Sequence, residues 1–143
     1  MPIAHLSRRY RFSASHRLHT ESFSAEKNRE VYGKCNNPHG HGHNYVVQVT
    51  LRGPVDQVTG MVCDLAALDA FARENLLDRF DHTNLNTLHC FQNRVSTTEN
   101  LTIEIYKSFQ TFPGARLEHV HVEETVNNSF DLVIDGAAAG RMI

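Results

Sequence analysis

From His41 to Leu51 every second residue is an imidazole or a core-type side chain: His41, His43, Tyr45, Val47, Val49 and Leu51. A β-strand sends alternate side chains to one face, so this run predicts a strand with one buried side. Residues 7–16 alternate in the same way, with Tyr10, Phe12, Ala14 and His16 on one face and Arg9, Arg11 and Ser13 on the other. If the two strands pair as antiparallel neighbours, the end of the first lies beside the start of the second. His16, His41 and His43 then converge at one end of the sheet, on its apolar side. A lone histidine reads as a solvated one. A His-x-His pair on an apolar face, met by a third histidine through topology, reverses that reading. Three neutral nitrogen ligands with an open fourth position are the pattern of a catalytic Zn2+ site, and the paired-cysteine spacings of a closed structural site are absent. His39 has the same parity as His41 and His43, but it precedes the alternating run and is read as a loop residue.

The remaining pattern gives the order ββααββ. Residues 17–40 are polar and without periodicity, and a connection of that length is usually functional or mobile. The second strand ends at Gly53-Pro54. A turn follows over 54–60, and Met61–Cys63 reads as an extension of the strand beyond it. Asp64 caps a helix running to about Arg79, with Leu65, Leu68, Ala72 and Leu76 on one face. Residues 80–85 break the pattern as a loop. Ser96 and Glu99 have capping-box spacing ahead of a second helix, which lines up Leu101, Ile105, Phe109 and Phe112 and stops at Pro113-Gly114. Two strands close the chain, Arg116–Val126 and Ser129–Asp135. This predicts an α+β fold: one four-stranded antiparallel sheet, two helices on one face, and a wet opposite face carrying Asn44, Gln48, Thr50 and Arg52. Residues 1–143 form one domain, with 137–143 as a loose tail. Such a sheet exposes two edges, which oligomerisation would bury.

Composition narrows the function classes. A net charge of -2 gives no general attraction to nucleic acid or to an anionic membrane. Arg8, Arg9 and Arg11, interleaved with Tyr10 and Phe12, read as the polar face of a strand. No apolar run has membrane-span length, and no signal-peptide stretch opens the chain. Three widely spaced cysteines do not make a disulfide framework, which points to a reducing cytoplasm.

Four further residues invite a chemical reading. Cys35 lies just before the histidine cluster, and an imidazole or Zn2+ nearby would lower its pKa and make it a usable base or nucleophile. Taken alone it reads as an inert buried thiol, as Cys63 and Cys90 do. Asp81-His82 has the composition of a carboxylate–imidazole relay, although adjacent residues do not easily bond to each other. Glu124 continues the apolar face of Val120 and Val122, where a carboxylate is costly unless it meets donors. A heterocycle offering adjacent N–H groups would satisfy it with two parallel bonds; the plainer reading is a strand-end Glu that reaches water.

Taken together, Phe12-Ser-Ala-Ser-His-Arg-Leu18, Gly33-Lys-Cys-Asn-Asn-Pro38, Gly40-His-Gly-His-Asn-Tyr45, Asp81-His-Thr-Asn-Leu85, Ser96-Thr-Thr-Glu-Asn100 and Val122-Glu-Glu-Thr125 resemble, in order, the 6-pyruvoyltetrahydropterin synthase family. The resemblance implies the tunnelling fold and a homohexamer of two trimers whose sheets join into barrels. It implies conversion of 7,8-dihydroneopterin triphosphate to 6-pyruvoyltetrahydropterin with loss of triphosphate, in tetrahydrobiopterin biosynthesis. By position His16, His41 and His43 would hold Zn2+, and Cys35 would be the base. Asp81 and His82 would be its relay partners from a neighbouring subunit, and Glu124, assisted by Glu99, would anchor the pterin. Lys34, Arg17 and Lys27 are the basic residues nearest in sequence for the triphosphate. No P-loop or dinucleotide fingerprint appears, which suits a reaction whose redox change is internal to the substrate. His39 departs from the family pattern and creates Cys35-x3-His39-x-His41, the spacing of the related 6-carboxytetrahydropterin synthases of deazapurine biosynthesis. That enzyme, and a zinc-bearing oligomeric scaffold without catalysis, are the alternatives.

Overall fold

Strand β1 (Ile3–His16) pairs antiparallel with β2 (His41–Pro54) along its whole length, and the register sets His16 opposite His41, Ala14 opposite His43 and Phe12 opposite Tyr45. The computed structural model describes residues 2–133. The other elements are α1 (Ala25–Tyr32), α2 (Leu65–Ala72), α3 (Asp78–Phe80), β3 (Thr83–Asn84), α4 (Thr98–Phe109), β4 (Arg116–Glu123) and β5 (Ser129–Val133). They build one sheet of order β3-β1-β2-β4-β5.

The expected α+β architecture is present, with one more strand than four. The added strand, β3, has two residues and runs parallel to β1 at Ala14 and Ser15. A two-residue strand carries no periodicity, and it forms because the His82 N–H donates to the Ser13 carbonyl at the edge of β1. Strand β1 begins at Ile3, earlier than the alternation from residue 7 indicates. Residues 61–63 are not strand. Strand β4 ends at Glu123, so Glu124 and Val126 lie beyond it, Val126 fully in solvent. The expected strand over 129–135 is present to Val133; its last two positions and the tail at 137–143 lie outside the described residues.

One face of the sheet buries Phe12, Tyr45, Val47, Val49, Leu51, Val120 and Val122 in a single core with Leu68, Leu76, Leu101, Ile105 and Phe109 from the helices. Each fully buried Val, Leu or Ile contributes roughly 1.5–3 kcal/mol. This burial holds the sheet to the helices, and Arg8 and Tyr10 of β1 add hydrogen bonds to Asp69 of α2. The opposite face is wet, as expected, with Ser7 bonded to Thr50, Arg9 to Gln48 and Ser13 to Asn44.

Asp64 caps α2 as its position predicts, accepting from the N–H groups of Ala66 and Ala67. The helix passes through a wider π turn (Arg73–Leu77) into α3. The cap of α4 is Thr97, not Ser96: the Thr97 hydroxyl accepts from Asn100 N–H, while buried Ser96 donates its own hydroxyl to the Arg17 carbonyl. The segment read as aperiodic contains α1. Its only buried residue is Asn28, whose amide bonds the Thr20 and Ser24 carbonyls while its oxygen accepts from Thr20 N–H. A helix fastened by one polar side chain leaves no apolar stripe to read. Among the described residues no helix is long and apolar enough to cross a membrane.

Candidate metal centre and active-site cleft

The convergence expected from strand topology is present. One ring nitrogen from each of His16, His41 and His43 lies within 4.8 Å of the others, and the ring centroids are 4.6, 5.1 and 4.7 Å apart. His16 is buried, and its Nδ1 lies 2.6 Å from the Ser96 carbonyl oxygen. A carbonyl only accepts, so Nδ1 carries the hydrogen and Nε2 of the neutral ring presents its lone pair. That Nε2 faces His41 Nε2 at 3.0 Å. Two ligands of a tetrahedral zinc stand about 3.3 Å apart. His43 Nε2 is buried with no hydrogen-bond partner among the described residues, and an unpaired buried polar atom is costly. Burial, reinforced by the neighbouring imidazoles, holds the His16 pKa below its ordinary value. Burial also lowers that of His43, against the pull of Glu124. Both are therefore neutral near neutral pH, the state a metal requires. The donor set, the fixed tautomer and the orphaned nitrogen fit a divalent ion such as Zn2+.

Gly40 lets the chain come this close. Its φ is +73°, and a Cβ there would stand 3.1 Å from the His16 carbonyl oxygen. His39, one residue earlier, is exposed, and its N–H donates to the Asn37 side chain. It is not part of the cluster.

Glu124 approaches the cluster from the turn after β4. Its Oε2 lies 3.9 Å from both His16 Nε2 and His43 Nε2 and accepts a short hydrogen bond from the hydroxyl of buried Thr98. Its backbone N–H donates to Asn128, which fixes the turn. A cleft of about 610 Å³ brings Glu124 together with Cys35, His41, His43, Arg29 and Lys34. Cys35 enters it from the 3-10 turn Gly33–Asn36 that follows α1. Burial, and then the Glu124 charge, raise the Cys35 pKa. The lowered pKa expected from its histidine neighbours is thus reversed in the chain by itself, because neutral imidazoles offset neither burial nor a carboxylate.

Asp81 and His82 lie elsewhere. They follow α3, and His82 lines a second cleft with Ser13, Ser15, Asn44 and Asn84, bordered by His43 of the cluster. The two side chains do come close, with His82 Nδ1 3.1 Å from Asp81 Oδ1. His82 has a left-handed backbone, at φ 58°, which composition does not reveal. Asp81 also accepts from Ser13 N–H, and that bond is the main reason its pKa lies below the usual carboxylate range. Glu99 is exposed in the first turn of α4 and does not line the Cys35 cleft. With Thr97 as the cap, its capping-box role is absent.

Two contributors were not anticipated: Thr98, which orients Glu124, and the Ser96 carbonyl, which sets the His16 tautomer. Both sit in the Ser96–Asn100 segment, whose density of hydroxyls was the available signal. The Tyr45 hydroxyl, buried beside His16 and His43, makes no hydrogen bond among the described residues.

The chain as a whole has counterparts among known proteins. The family model described as 6-pyruvoyl tetrahydropterin synthase matches residues 5–133. The chain is 47% identical over 127 residues to a 6-pyruvoyl tetrahydrobiopterin synthase of Homo sapiens, covering 87% of this chain and 88% of that one. It is 45% identical over 130 residues to one of Drosophila melanogaster, covering 89% and 77% respectively. Its fold matches the solved 6-pyruvoyl tetrahydropterin synthase of Caenorhabditis elegans with a TM-score of 0.89 at 43% identity, over 94% of this chain and 98% of that one. The chain therefore belongs to the 6-pyruvoyl tetrahydropterin synthase family and is a lyase.

Proposed function

We propose that the protein converts 7,8-dihydroneopterin triphosphate to 6-pyruvoyltetrahydropterin in a Zn2+-dependent reaction that eliminates triphosphate, within tetrahydrobiopterin synthesis. The observation that carries this reading is a cleft in which two imidazoles of the three-histidine cluster, His41 and His43, meet a thiol and an oriented carboxylate. His16, His41 and His43 would hold Zn2+, which when bound supplies Lewis-acid polarisation of the substrate's side-chain oxygens. Thr98 holds one oxygen of Glu124, leaving the other to accept from the N–H groups of the pterin ring. Cys35, a thiol of raised pKa in the chain by itself, would act as the thiolate once a cation at the imidazoles stabilises that charge, and would take the proton from the side-chain carbon. The Asp81 carboxylate, 3.1 Å from His82 Nδ1, orients the imidazole and leaves Nε2 available for proton transfer.

In a single chain His82 and Cys35 line different clefts, with His43 bordering both, which supports a relay supplied by a second subunit. The proposed assembly is the homohexamer of two trimers, with sheets joined through the β3 and β5 edges into barrels. No external oxidant is required, since the side-chain hydroxyls become carbonyls as the pterin ring is reduced and triphosphate leaves. His39 stands exposed outside the cluster, so its spacing lends no support to the carboxy-forming alternative. The test is anaerobic incubation of the pure protein with dihydroneopterin triphosphate. Inorganic triphosphate with a pyruvoyl product is the expected result. A carboxy product with acetaldehyde, or no reaction, would overturn the proposal.

A further inference from the structure

We infer that Arg29 and Lys34 form the polyphosphate-binding rim of the Cys35 cleft, an inference that rests on the pterin-triphosphate reading above. Of the three basic residues near the site in sequence, two are committed elsewhere. Arg17 donates through Nε to the Asn36 carbonyl at 3.0 Å and lines a second cavity, with His19, His39 and Arg94. The Lys27 ammonium sits over the Phe23 ring, 5.5 Å from its centroid. Lys34 does line the Cys35 cleft, together with Arg29, which sequence proximity did not single out.

The backbone accounts for the pairing. Arg29 lies in the last turn of α1, and its carbonyl accepts from the N–H of Gly33, which closes the helix at φ 56°. The chain then enters the 3-10 turn, bringing Lys34 to the same cleft and Cys35 directly after it. Both side chains are exposed, and among the described residues neither makes a hydrogen bond or ion pair. Arg8, Arg79 and Arg94, by contrast, each bind a carboxylate.

The cleft consequently carries charged groups of both signs on a largely apolar lining. A half-buried carboxylate, Glu124, stands against the imidazoles, and two exposed, uncommitted cations line the same cleft. A ligand that complements it has N–H donors at one end and a polyanion at the other. The cleft volume of about 610 Å³ lies within the usual range of roughly 300–1,000 Å³ for small-molecule sites.

The test compares equilibrium binding of dihydroneopterin triphosphate and of dihydroneopterin to the zinc-loaded chain carrying Cys35→Ala, so that turnover does not intervene. The inference predicts tighter binding of the triphosphate, a preference that weakens with added salt. The Arg29→Ala/Lys34→Ala pair should cut that preference about tenfold, and Lys34→Glu should cut it further. Affinity for dihydroneopterin should not change, and Arg17→Ala should leave the preference intact. An unchanged preference in the double variant, a parent without preference, or a loss produced by Arg17→Ala would overturn the assignment while leaving the pterin reading in place. Binding of neither pterin would overturn that reading, and this inference with it.

Discussion

Cys35 and His43 line the same cleft but are assigned separate tasks, so they respond differently to truncation. Cys35→Ala is expected to abolish turnover and leave the zinc content intact, measured by elemental analysis beside an activity assay. Surviving activity at normal zinc content would remove the base assignment. His43→Ala should release the metal and His39→Ala should not; the reverse outcome would move the ligand register. The pH dependence follows from the lowered pKa values of His16 and His43. The unfolded chain takes up protons at these positions near the ordinary imidazole value of about 6.5, before the folded chain does. Their contribution to stability is therefore present above that value and is lost as the pH falls through the lower folded values. Zinc content should drop across the same acid range, because protonated imidazoles do not bind metal. At this scale the histidine cluster was legible because strand parity and one hairpin register determine where three side chains meet. The approach of His82 to Asp81 was not legible, since His82 adopts a positive φ that nothing in the sequence pattern signals.

The elements divide along the same line. Helices α2 and α4 announce themselves through apolar stripes, and Asp64 as the cap of α2 follows from its place ahead of the first stripe. Asp64→Ala should cost about 1 kcal/mol of stability by denaturant unfolding; no measurable cost would mean the cap is replaceable. Helix α1 and strand β3 escaped notice because their cohesion comes from Asn28 and from one backbone bond to Ser13, neither of which leaves a period. Glu104 shows how α4 is tied to its surroundings. Arg79 from α3 binds Glu104 Oε1 at 2.9 Å, and Arg94 from the preceding loop binds Oε2 at 2.7 Å. Burial pushes the Glu104 pKa up, but the two guanidinium groups more than offset it, leaving a net lowering. Its stabilisation is accordingly present above the ordinary glutamate range, about pH 4.3, and disappears as the pH falls through its lowered value. Glu104→Ala should cost about 2 kcal/mol near neutral pH. The difference from the parent should narrow in acid, as pH-dependent melting would show.

For the whole molecule, the described sheet ends at β3 on one side and β5 on the other, and His82 lines a cleft that Cys35 does not share. Both features suit a site completed between subunits. Light scattering should give the mass of six chains. Mixing two inactive proteins, Cys35→Ala and His82→Ala, under subunit exchange should restore part of the activity, because some sites then combine an intact thiol with an intact relay. No restoration after verified exchange would argue for a site complete within one chain. The central claim is that the three-histidine cluster holds a zinc ion on which the elimination depends. It is tested most directly by measuring inorganic triphosphate released from dihydroneopterin triphosphate by the same preparation before chelation, after chelation and after zinc is restored. The expected result is release, loss of release and recovery in step with one zinc per chain; release that continues undiminished in the fully chelated protein would contradict it.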